Sequence, residues 1–197
     1  NTNIGRATRL LCRKLESEGK TVKILTVGRK GRDYLRRELN SRLIEGVSLA
    51  GKKRIDYSDA EGVANTVTAM LNAGEADVVT IVFNKFQSVI AQVVTEQQLI
   101  PAPAAAESAN NDGASYDFEP DEETILAKLL PQALAIKIFS ALLESAAGEH
   151  GARMTAMDNA TRNAGDMIKR LTTNYNRARQ ANITRELIEI ISGAEAL

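Results

Sequence analysis

Apolar positions along this chain change their period several times, and each change marks an element. Ala7, Leu10, Leu11 and Leu15 recur at helical spacing, so residues 4–18 are predicted as a helix, with Gly19 as its stop. Residues 22–28, rich in β-branched side chains and closed by Gly28, read as a strand, and a short helix is predicted over 33–39. The stretch 43–57 is ambiguous, with an edge strand expected near 54–57. Ser58 or Asp59 is a candidate cap for a helix through Val63, Val67 and Leu71 to the break at Gly74. Residues 78–83 form an unbroken β-rich run, as expected of a strand covered on both faces, and 88–99 alternate apolar and polar side chains, so the two should pair. Strands separated by helices predict an α/β domain, Rossmann-like, with a mainly parallel sheet whose first strand lies upstream of Asn1.

The pattern then breaks. Residues 101–115 are a low-complexity linker of Ala, Pro, Asn and Ser, too poor in large apolar groups to fold alone. Asp121, Glu122 and Glu123 open a helix at the end where negative charge is favourable. Pro131 is expected to interrupt that helix or to begin the next. From there to Leu197 the spacing is continuously helical, roughly 100 Å at about 1.5 Å per residue. Ile136, Phe139, Leu143, Ala146, His150, Arg153, Met157, Ala160, Ala164, Met167, Leu171, Asn174 and Ala178 alternate steps of three and four, a heptad seam that predicts a left-handed coiled coil. Nothing else in the chain is long enough to pair with it. The domains are therefore an α/β unit over 1–120, which includes the linker, and a coiled-coil helix over 121–197.

Composition sharpens this only locally. Of 197 residues, 44% are hydrophobic, enough for a core, and Lys plus Arg balance Asp plus Glu at 25 each, so net charge argues for neither nucleic acid nor an anionic surface. Residues 29–54 nevertheless carry nine basic side chains against three acidic ones, and 107–123 carry seven acidic and no basic ones. Between Thr161 and Arg185 there are six basic residues and one acidic one. Tyr175 is the one aromatic there, so acidic protein loops suit this face better than nucleic acid. Arg162, Asn163, Asp166, Lys169, Arg170 and Arg177 leave little apolar area opposite the seam, as a solvated coiled-coil face or a helix turning in a collar would. Ile190, Ile191, Ala194, Ala196 and Leu197 form an apolar tip that calls for a socket. Cys12 is the sole cysteine, read as a core or half-buried thiol. No run of 18 apolar residues stands out as a membrane span and no signal peptide opens the chain, so membrane contact is expected through other proteins.

Candidate chemistry is sparse. A Walker-type phosphate loop is absent, and Gly28-Arg29-Lys30-Gly31 lacks the third glycine of a dinucleotide fingerprint. His150, the only histidine, falls in the seam, which argues against a His-rich metal site and a Ser-His-Asp triad. Glu186 and Glu189 share a helical face without a pocket to tune them. No catalytic, cofactor or metal residues are assigned, and the sequence offers no credible active site.

The closing run Ile183-Thr184-Arg185-Glu186-Leu187-Ile188-Glu189-Ile190-Ile191-Ser192-Gly193-Ala194 closely resembles the C-terminal signature of the γ subunits of F-type ATP synthases. Tyr175-Asn176-Arg177-Ala178-Arg179-Gln180-Ala181, Ala152-Arg153-Met154-Thr155-Ala156-Met157, Phe83-Asn84-Lys85-Phe86 and Asn1-Thr2-Asn3-Ile4 are similar to segments of the same family. Members begin with a long helix and a first strand that have no counterpart here, and that helix is the expected antiparallel partner of residues 131–178.

The resemblance implies a central-stalk rotor that couples proton flow through a ring of c subunits to ATP synthesis or hydrolysis by α and β subunits, with ε beside the α/β domain. It implies that Arg179, Gln180 and Thr184 contact a loop of one β subunit and that Arg153 faces an acidic lever region of β. It implies a peripheral location on the cytoplasmic face of a bacterial plasma membrane, or on the matrix side of a mitochondrial inner membrane, without direct insertion. The alternative reading is a coiled-coil adaptor whose α/β domain binds a nucleotide or regulator.

Overall fold

The computed structural model describes residues 2–48, 52, 54–102, 119 and 121–195. Most of the expected linker, and Ala196 and Leu197 of the apolar tip, lie outside them. The chain divides into two units, Asn1–His150 and Gly151–Leu197.

In the first unit, helix α1 (Thr2–Ser17) falls where the periodicity puts it and closes through Gly19. Residues 22–28 are extended but do not form a full strand: Ile24 and Val27 make isolated parallel bridges to Leu43 and Val47. Gly46 explains how the two segments come so close, since a Cβ there would stand 2.3 Å from the Thr26 carbonyl oxygen. Helix α2 (Arg29–Leu39) starts four residues before the expected Asp33. Gly28, at φ 100°, turns the chain directly from the bridge into the helix, a conformation that β-branched or bulky side chains resist. The edge strand expected over 54–57 is not formed. Instead Asp56 is the N-cap of α3 (Tyr57–Asn72), in a capping box with Asp59, so neither Ser58 nor Asp59 is the cap itself.

Strands β1 (Val79–Ser88) and β2 (Ala91–Ile100) pair as expected, but antiparallel. The parallel expectation fails because only Val89 and Ile90 separate the strands, too short a connection for a crossover. Nor is β1 covered on both faces: Thr80 is exposed and Phe83 alone is buried along it. The α/β class stands, with these two strands forming the sheet among the described residues.

Helix α4 (Glu122–Glu195) is a single element with Pro131 inside it, not broken by it. Asp121 caps its start, accepting the Thr124 N–H at 2.8 Å and the Thr124 hydroxyl at 2.7 Å. These bonds hold its carboxyl below the ordinary range. Contrary to the sequence reading, α4 is long and apolar enough, by length and composition, to cross a membrane. Within it Leu134, Ala135 and Ile138 join Ala60, Val63 and Ala64 of α3 and Leu99 of β2 in the main core. Tyr57 and Phe139 meet edge to face at 5.8 Å beside it. A second cluster of Cys12, Ile24, Leu35 and Leu39 holds α1 to α2, and burial followed by the charge of Glu16 pushes the Cys12 thiol upward. Arg9 clamps the same helix pair by an ion pair to Glu38 at 2.7 Å.

Candidate functional site on helix α4

Beyond the core contacts, α4 presents a surface and not a cavity. Every sequence-assigned contact residue lies in the second unit, on a helix whose side chains from 156 to 194 are all exposed except at Gly165. Gln180 and Thr184 are one turn apart on one face, and Arg179 stands about 100° round the helix from Gln180. Arg153 is not brought to them: it lies about 39 Å further up at 1.5 Å rise per residue. The four residues therefore fall at two separate places on the helix.

Many of the exposed apolar side chains fall into two stripes, with Met167, Ile188 and Ile191 outside them. Met157, Ala164, Ile168, Leu171 and Tyr175 recur at steps of seven, four, three and four, and Tyr175 is 67% exposed. Below Ala178 the stripe shifts by roughly a quarter turn, to Ile183, Leu187, Ile190 and Ala194, with Ile190 68% exposed. Glu186 and Gly193 continue the line of Arg179 at seven-residue intervals, and Glu189 and Ser192 stand beside it. Thus the signature residues are not one patch. They divide into an apolar stripe and a polar flank. Ile168 and Ile188, both exposed, went unassigned in the sequence reading, although helical spacing from Ala164 and Thr184 was the signal that places them.

In the first unit the same helix has two apolar faces. Leu134, Ala135, Ile138 and Ala141 are buried, whereas Ile136 and Leu143 of the expected seam are exposed. The heptad seam runs along the edge of the buried face: Ile136 and Leu143 point outward, while Phe139 packs against the core. Glu144, on the flank of the inward face, accepts the Phe86 N–H of β1 at 2.7 Å. Among the described residues no three His, Cys, Asp or Glu side chains gather as metal ligands.

A family model described as ATP synthase matches residues 1–197. The chain is 68% identical to the ATP synthase gamma chain of Granulibacter bethesdensis, over all of this chain and 68% of that one. This chain belongs to the ATP synthase gamma chain family. The gamma chain of Rhodospirillum rubrum is 56% identical, again over all of this chain and 69% of the relative. A solved chain from the central stalk and c-ring of Tetrahymena thermophila mitochondrial ATP synthase is 26% identical at TM-score 0.56, over 70% of this chain and 60% of that one. A Euglena gracilis mitochondrial ATP synthase chain shares the fold at TM-score 0.61 and 21% identity, over 96% of this chain. Thus this gamma-family chain spans about two thirds of its relatives' length, and its fold includes the long helix they share.

Proposed function

We propose that this chain is the central-stalk rotor subunit of an F-type ATP synthase, coupling ion flow through a membrane ring to ATP synthesis or hydrolysis by rotation. The family match over residues 1–197, with gamma chains up to 68% identical among the relatives, is the observation that carries this reading. The geometry suits it. The upper stripe of α4 takes an antiparallel helix, which completes the coiled coil. The lower stripe from Ile183 to Ala194 seats in an apolar bearing formed by α and β subunits, and the α/β domain meets ε and the c-ring. The complex is peripheral to the membrane, on the cytoplasmic face in a bacterium.

A shaft works by presenting different chemistry at different angles. Arg179, Gln180 and Thr184 lie on two sides of one turn of helix, so a β-subunit loop meets them in some angular positions and not in others. Differential contact of this kind shifts the loop between states of different nucleotide affinity, and catalysis stays with the subunits that bind the nucleotide. Each hydrogen bond made and broken there contributes on the order of 1 to 3 kcal/mol. Arg153, far up the helix, addresses a separate acidic region of β.

Replacing Arg179 and Gln180 together by Ala in the assembled complex tests the assignment. The expected outcome is a severalfold loss of ATP synthesis and of ATP-driven pumping, with the complex still assembled. Unchanged coupling would remove these residues from the contact. An Arg179→Cys variant should cross-link to a catalytic subunit, and cross-linking only to non-catalytic partners would overturn the proposed geometry.

A further inference from the structure

Rotation demands that a helix and the domain packed on it turn together, and directional contacts serve this beside apolar burial. The close-packed core around Leu134 and Ile138 resists rolling and sliding, and a directional contact adds a defined angle to that grip. Two features of α4 are directional. Glu144 accepts the Phe86 N–H at 2.7 Å, 58 positions away in sequence. Phe86 lies where β1 shifts register against β2, between Phe86 and Ser88. One turn beyond Glu144 the helix comes down on the hairpin at buried Gly148, where a Cβ would stand 3.3 Å from Gln92 Cγ and 3.8 Å from Asn84 Cβ. The carboxylate fixes the rotation of the helix about its axis, and the glycine fixes its depth against both strands.

We propose that Glu144 and Gly148 are positioning residues that key α4 to the β1–β2 hairpin, so that the α/β domain and the helix turn as one body without slip. This rests on the rotor reading and adds where torque passes between sheet and shaft. A hydrogen bond has a preferred length and direction, and this one joins a side chain of the helix to a backbone group that cannot rotate away.

The test uses the assembled complex in sealed membranes and compares ATP-driven pumping with ATP hydrolysed. Glu144→Ala should lower pumping per ATP severalfold, while Glu144→Gln, which keeps an acceptor, should restore most of it. Exchange of the Phe86 amide, which reports the bond itself, should quicken by about tenfold in Glu144→Ala. The second arm is a staple. A Cβ at Gly148 would lie 4.0 Å from Gln92 Cβ, within disulfide range. The Gln92→Cys/Gly148→Cys pair should therefore close on oxidation, leave turnover equal to that of its reduced form, and rescue Glu144→Ala.

Faster Phe86 exchange with unchanged pumping per ATP would overturn the key. Turnover that stops when the staple closes would also overturn it, because helix and hairpin would then have to slide. The staple decides the matter even where Glu144→Ala fails to assemble. An unmodified complex that hydrolyses ATP without pumping would overturn the rotor reading itself, and this inference with it.

Discussion

At the scale of single residues, two carboxylates carry more of the fold than their number suggests. Asp59 is only 9% exposed and is held below the ordinary carboxylate range, first by its hydrogen bond to the Lys52 ammonium and then by the Asp56 N–H. Asp121 is lowered by the Thr124 N–H and hydroxyl. A folded-state value below the unfolded one means that each contribution is complete above the ordinary value of 3.8 and fades as pH falls through the lower folded value. The stability gap between the parent and Asp59→Asn, read by urea unfolding, should be constant near neutrality and begin to close below about pH 4. Asp56→Ala, which removes the cap of α3, should cost about 1 kcal/mol in the same measurement. Gly46→Ala should cost about 1 to 3 kcal/mol, because the obstacle is the Thr26 backbone carbonyl and the bridged segments must part. Little of this was legible in the sequence. Ser58, Asp59 and Asp56 are all cap-forming types within four positions, and residue preference alone cannot choose among them.

At the scale of elements, what could be read was what had a single period. α1 and α3 were recovered because each has one buried face, and β2 from its composition, although only Leu99 along it is buried. The direction of the hairpin was misread because the upstream alternation of strands and helices suggested crossovers, while the two-residue connection at Val89 and Ile90 was passed over. Residues 22–28 have a strand's composition yet form only bridges, since few neighbouring backbone groups lie in reach. In α4 the inward stripe of Leu134, Ile138 and Ala141 runs beside the outward stripe of Ile136 and Leu143. A helix apolar on two sides gives a periodicity search two answers, and the seam mixes them, with Ile136 and Leu143 outward and Phe139 against the core. Pro131 was taken for a break because its ring removes the donor to the Ala127 carbonyl; the turn is exposed, so water can satisfy that oxygen. Pro131→Ala restores the donor and should stabilise the first turns of α4 by up to about 3 kcal/mol. A rise in protection of the amides near Ala127 in hydrogen exchange would show it.

At the scale of the whole molecule, stability should be sharply uneven. Amides around Leu134 and Ile138, in the main core, should be among the slowest to exchange, whereas those from 156 to 194 should exchange orders of magnitude faster in the free chain and slow on assembly. Equal protection of both regions in the free chain would contradict the division into two units. The candidate contact surface was legible here in chemistry and in spacing: Arg179, Gln180 and Thr184 stand in or beside the signature, and their distance from Arg153 follows from the continuous helix expected after Pro131, which α4 forms. The exposed stripe from Met157 to Tyr175 has one more consequence, for the life of the chain before it reaches its complex. To a chaperone or a protease, a run of uncovered Met, Ile, Leu and Tyr offers the same apolar side chains that unfolded protein does. A copy made in excess advertises its own surplus, and the cell's quality control can match its supply to demand by reading the same side chains that assembly conceals.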